Sequence, residues 1–101
     1  MGTVTPGKGY IVGSYMPIQV FKVVPSSAEE TADTMDVDLA RWFRTIEGIQ
    51  NILVLDSGNN VSTSDVDVTI SGTTVTIADG SSYDLAATDT IYLTVYGVPV
   101  A

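Results

Sequence analysis

Polar and apolar residues alternate along much of this chain. Val66-Asp67-Val68-Thr69-Ile70, Thr74-Val75-Thr76-Ile77 and Asp89-Thr90-Ile91-Tyr92-Leu93-Thr94-Val95-Tyr96 each carry an apolar or aromatic residue at every second position or closer. That is the period of a strand buried on one face. Ser71-Gly72-Thr73 joins the first two runs as a hairpin turn, and Asp79-Gly80 is a second turn signal, because glycine supplies a positive φ without a Cβ clash. Asp33-Thr34-Met35-Asp36-Val37-Asp38-Leu39 alternates in the same way, with Met35, Val37 and Leu39 on the inward side. It opens on Asp-Thr, as does the run beginning at Asp89, so one strand-start chemistry is used in both places.

Elsewhere the signals are shorter. Tyr10-Ile11-Val12-Gly13 reads as a short strand, and residues 17–24 as a longer one with Ile18, Val20 and Val24 on one face. Pro17 and Pro25 bracket the longer strand, since proline is tolerated at a strand's start and stops pairing beyond it. Ile49-Gln50-Asn51-Ile52-Leu53-Val54-Leu55 is a further strand, residues 26–32 a polar loop, and residues 56–60 a turn. Leu39, Trp42, Phe43 and Ile46 fall at helical spacing between an N-cap at Asp38 and a stop at Gly48. This spacing predicts a short helix over residues 39–45. Pro99 is expected to keep the C-terminal Val98-Pro99-Val100-Ala101 out of a central strand.

About six or seven strands, with turn signals every ~8–12 residues, predict an all-β fold. The expected form is a small antiparallel β-sandwich or barrel with at most one short helix. Crossover helices for a parallel sheet have no room here. Residues 1–9 hold three glycines and a proline without any period. They are expected to form a flexible N-terminal arm, with residues 10–101 as a single β domain. The arm either frays or orders on a partner, in which case Val4 is its apolar anchor and Lys8 meets an acidic patch.

Composition narrows the function. The chain has 101 residues, 45% of them hydrophobic and only 16% charged, against about 25% charged in most soluble domains. Twelve acidic residues face only Lys8, Lys22, Arg41 and Arg44, for a formal charge of −8. Such a balance cannot replace the counterions of a phosphate backbone, so nucleic acid is excluded as a partner. Cysteine and histidine are absent, which removes thiolate chemistry, the commonest metal ligands and the commonest general base. No apolar run approaches the ~20 residues of a membrane span, and the N-terminus lacks a secretory pattern. The expectation is a protein of a cytosol-like compartment without membrane or cofactor.

Candidate chemistry is sparse. Asp36 and Asp38 share a strand face, and Asp65 and Asp67 repeat their spacing. Oxygen clusters of this kind can bind calcium, but charges that discourage strand pairing are the simpler account, and no metal is expected. Carboxylate pairs can hydrolyse glycosides without histidine, yet the acids here are spread along turns, and an enzyme is not expected. Arg41-Trp42-Phe43-Arg44 gathers half the basic residues and the only tryptophan. Arg and Trp are enriched at the energetic centres of interfaces; the alternative is that Trp42 and Phe43 belong to the core. Tyr92 and Tyr96 lie opposite Ile91, Leu93 and Val95, either on a second inner face or on a stripe turned to a partner.

Residues 33–39, the Phe43-x-x-Ile46-x-Gly48-Ile49 segment and residues 89–97 together resemble small tailed-bacteriophage virion proteins, which are short Thr/Val/Gly-rich β domains without cysteine. Many members of that group are capsid decoration, or cement, proteins that clamp neighbouring coat subunits. The resemblance implies a non-enzymatic structural protein found on the virion, and in host cytoplasm before assembly. Its partners would be the major capsid protein or other virion subunits, with the chain acting as a homo-oligomer or in many copies on a lattice. Candidate contacts are Val4, Lys8, Arg41, Trp42, Arg44, Tyr92 and Tyr96. A head–tail connector, tail or fibre component is the alternative within the same group. A carbohydrate-binding module is the alternative from another class.

Overall fold

The computed structural model describes residues 3–12, 16–61, 65–80 and 82–100, with side chains from Ile18 onward. In chain order the elements are β1 (Thr3–Val12), β2 (Met16–Val24), α1 (Ser27–Ala32), β3 (Thr34–Asp38), β4 (Phe43–Leu55), β5 (Asp67–Ser71), β6 (Thr74–Ala78) and β7 (Thr90–Pro99). The strands form one four-stranded sheet, ordered β1-β2-β7-β4, and one three-stranded sheet, ordered β3-β6-β5. Every pairing is antiparallel. The all-β expectation holds, and of its two forms the open sandwich is the one adopted, with β1 and β4, and β3 and β5, as the outermost strands of the two sheets among the described residues.

The core lies between the sheets. Register places Phe21 of β2 opposite Leu93 of β7, and Leu93 opposite Ile52 of β4. Val23, Ile91 and Val54 form the next inward row. Met35, Val37, Val75 and Ile77 meet these rows from the other sheet, and Leu39, Phe43, Tyr83 and Leu85 belong to the same buried cluster. Directly opposite residues share a face, so Ile18, Val20 and Lys22 lie on the outer face of the four-stranded sheet. At the β5–β6 hairpin, Gly72 has φ 62 at the first of the two central turn positions, the pattern of a type II′ turn.

Three expectations are corrected. The helix expected over residues 39–45 does not form: residues 40–42 are a turn, and Phe43 opens β4. The pairing of β4 with β7 skips Arg44, Glu47 and Gln50, one at each of three register shifts. Each skipped residue is a bulge, an extra residue in one strand that bends it and strengthens its twist. The bulges place Phe43, Ile46, Ile49 and Ile52 against the core, and that three-residue spacing imitates a helix.

The one helix of the described residues is instead α1, where a loop was expected. Ser26 caps it, accepting from the Glu29 amide, while Glu29 accepts from the Ser26 amide at 2.9 Å; this reciprocal box satisfies donors that the first turn leaves open. Asp33 ends it in the left-handed region at φ 61. No residue of α1 is buried, so no apolar stripe marks it.

The third correction concerns the arm. Residues 3–9 are part of β1, paired with β2 from Thr3↔Val24 onward, with a register shift between Pro6 and Gly9. Glycine, proline and a bulge are all tolerated on an edge strand, which has only one ladder to satisfy. Pro99 likewise falls inside β7, opposite Phe43 of β4. Pairing of β7 with β2 ends at Tyr96, so at Pro99 the strand has a neighbour on one side only.

Leu93 is fully buried in the central row. Leu93→Ala is expected to lower unfolding free energy by about 2–5 kcal/mol, measured by urea denaturation. A loss below this range would mean that the sheets close over the cavity.

Candidate interaction surfaces and an acidic cluster

Strand alternation turns Tyr92, Thr94 and Tyr96 away from the core, so they do not form a second inner face. Rows across the sheet place Tyr92 between Lys22 and Leu53, Thr94 between Val20 and Asn51, and Tyr96 between Ile18 and Gly48. Of these, Lys22 and Asn51 are exposed and the others are half-buried. A Cβ at Gly48 would collide with the Tyr96 ring, so glycine there is what lets Tyr96 lie across β4. The outer face of this sheet is therefore aliphatic and aromatic, with Lys22 as its charge in these rows.

The second surface is a corner at the end of the sandwich. The Trp42 and Phe43 amides both donate to the Leu39 carbonyl, at 3.0 and 2.9 Å. This tight turn directs Trp42 edge-on to Phe21, with centroids 5.1 Å apart, while its half-buried ring keeps an outward side. Trp42 thus packs on the core and remains partly accessible. Phe43 is core alone. The Arg41 guanidinium lies 5.8 Å from the Trp42 ring centre, within cation–π range. The Val100 amide donates to the Trp42 carbonyl at 3.2 Å, which brings the exposed Val98 and Val100 to the same corner. Arg44 follows as the first bulge residue of β4 and is exposed. Val4 and Lys8 belong to β1, Val4 opposite Val23 and Lys8 within the register shift; their side chains lie outside the described residues.

The four aspartates singled out by spacing do not assemble into one site. Asp36 accepts from the Thr76 hydroxyl at 2.7 Å, Asp38 from the Ala40 amide at 3.0 Å and Asp65 from the Ser82 amide at 3.1 Å. Asp67 is exposed on β5. A different set comes together: one carboxylate oxygen from each of Asp33, Asp79 and Asp84 lies within 4.8 Å of the others. Asp33 arrives as the left-handed cap of α1 and Asp79 from the end of β6, and their backbones are joined by the Asp79 amide donating to the Asp33 carbonyl at 3.2 Å. Among the described residues these three could hold a hard cation, which carboxylate oxygens suit. Asp33 is far in sequence from Asp79 and Asp84, and the β3–β6 pairing brings it to them.

The loop after Asp79 is fixed by acceptors. Asp79 accepts from the Leu85 amide at 2.7 Å, and Glu30 of α1 from the Ala87 amide at 2.7 Å. Buried Asp89 accepts from the Tyr83 hydroxyl at 2.8 Å and from the Ala86 amide at 3.3 Å. Burial first, and then the bond to Asp89, push the Tyr83 phenol above its ordinary value, so it remains a donor. Asp84 is exposed, and its carboxyl is also raised, chiefly by the charge of Asp79 and further by desolvation, a hydrogen bond to Asp79, and the charges of Asp33 and Glu30.

No protein-family profile, curated protein or solved structure matches the chain. No helix of the described residues is long and apolar enough to cross a membrane.

Two substitutions test this region. Because the folded state binds the Asp84 proton more tightly than the unfolded chain does, the stability it contributes is complete below the ordinary value of 3.8. That contribution is lost as pH rises through the higher folded value. Asp84→Asn is expected to flatten the fall in Tm from about pH 4 upward and to raise Tm at neutral pH; an unchanged pH profile would mean that the three carboxylates do not repel one another. Tyr83→Phe leaves buried Asp89 without one of its donors and is expected to cost about 1–3 kcal/mol in chemical denaturation.

Proposed function

We propose that this chain is a non-enzymatic structural subunit of a virion, of the capsid decoration type, which stabilises a shell by binding neighbouring subunits. The observation that carries the reading is the corner formed by Arg41, Trp42, Val98 and Val100. There a protein of formal charge −8 places a cation over its only tryptophan, beside exposed valines. Buried aromatic and arginine anchors dominate the energetics of protein interfaces, and exposed apolar groups beside them favour a partner surface over water. The mechanism is mass action: a subunit that binds only the assembled lattice stabilises it by its binding free energy. The resemblance to small phage virion proteins supplies the kind of assembly.

The test is cosedimentation with phage heads assembled without this protein. Binding to assembled shells but not to free coat subunits is expected. Arg41→Glu and Trp42→Ala should each weaken that binding by about tenfold or more, with circular dichroism confirming that both variants fold. Binding to a glycan array, lost in Tyr92→Ala and absent from shells, would instead establish the carbohydrate-binding reading.

A further inference from the structure

We propose that the outer face of the four-stranded sheet is covered by a second copy of this chain, packed face to face about a two-fold axis. Composition is the first argument. The rows Ile18–Tyr96–Gly48, Val20–Thr94–Asn51 and Lys22–Tyr92–Leu53 present aliphatic and aromatic groups. The outer face of the other sheet consists instead of Thr34, Ala78 and Asp67, then Asp36, Thr76 and Thr69, then Asp38, Thr74 and Ser71. One molecule thus carries an apolar sheet face and a small, polar, acidic one.

The distribution of charge is compatible with a second copy on this face. The strands of the four-stranded sheet contain Lys8, Lys22 and Arg44 against Glu47, a net of 3 − 1 = +2. The rest of the chain holds the other 11 acids against Arg41, a net of 1 − 11 = −10, and the two sum to −8. Two such molecules repel when their acidic sides approach. Stacked by their apolar faces, they turn outward the three-stranded sheets, whose outer rows carry Asp36, Asp38 and Asp67. With layers about 10 Å apart, the two acidic sheets end about 30 Å from each other, several times the screening length of about 8 Å at physiological salt.

Size and symmetry agree. β7 has 10 residues, about 33 Å at ~3.3 Å per residue, and four strands at ~4.8 Å span about 19 Å. The projected area is about 600 Å², and that of a corrugated face is larger, on the scale of the ~800 Å² per partner in stable interfaces. Tyr92 and Tyr96 straddle Thr94 symmetrically on the central strand β7. A two-fold axis near Thr94 brings Tyr92 of each copy toward Tyr96 of the other, as a self-complementary interface requires. This pairing does not depend on the virion reading, since it forms in solution without any particle.

Sedimentation equilibrium of the full chain over low to high micromolar concentration tests it. A closed dimer is expected, tightening as salt screens the repulsion between two acidic molecules. Thr94→Arg, and Asn51→Arg at the exposed position of the same row, should each weaken the dimer on the order of a hundredfold or more. Thr69→Arg on the opposite sheet should leave it unchanged. Should Thr94→Arg fail to fold, the Asn51 variant alone decides. A strict monomer overturns the proposal, as does a dimer indifferent to both row substitutions. Open-ended polymers that dissolve in salt also overturn it, because they would show the acidic sheet of one copy docking on the apolar sheet of the next.

Discussion

The sandwich depends on β7 being hydrogen-bonded on both sides. Its inward residues Ile91, Leu93 and Val95 have no exposed surface, and each is matched on β2 and on β4. Backbone satisfaction and apolar burial therefore coincide along one strand. The same arrangement makes the strand intolerant of crowding. A Cβ at Gly97 would collide with the Thr45 carbonyl, so β4 can approach there only because that position carries hydrogen alone.

What the sequence shows of this fold follows from how each element is buried. β3, β6 and β7 have one face in the core and one outside, and their alternation is plain in the order of residues alone. β4 is equally buried but longer than its partner stretch, and its bulges replace the two-residue period by a three-residue one. Helix α1 buries nothing, and only its Ser26–Glu29 capping pair announces it. β1 holds too much glycine and proline to look like a strand, because an edge asks less of its residues than a centre does.

The candidate surfaces are partly legible in the same way. Arg41 and Trp42 stand out by composition, and alternation alone pairs Tyr92 with Tyr96 on one face. Two features depend on tertiary pairing. Val98 and Val100 join the corner because the end of β7 runs beside the start of β4. The Asp33–Asp79–Asp84 group forms because β3 and β6 are neighbours. The Asp-Thr pair that opens two strands shows the limit of local reading. Asp33 is an exposed helix cap among like charges, whereas Asp89 is buried as the acceptor for Tyr83 and the Ala86 amide. Identical dipeptides serve opposite electrostatic ends.

The bulges of β4 also govern how the chain tolerates changes of length. In a regular ladder, excising one residue turns every later side chain to the opposite face. Arg44, Glu47 and Gln50 are surplus to the ladder and point outward. Removing one of them closes its bulge and leaves Phe43, Ile46, Ile49 and Ile52 facing the core. Single-codon deletions are thus absorbed in β4 at those three positions, whereas the same deletion inside β3, β6 or β7 inverts the strand. Lineages of this fold can shorten at β4 while keeping its core in place.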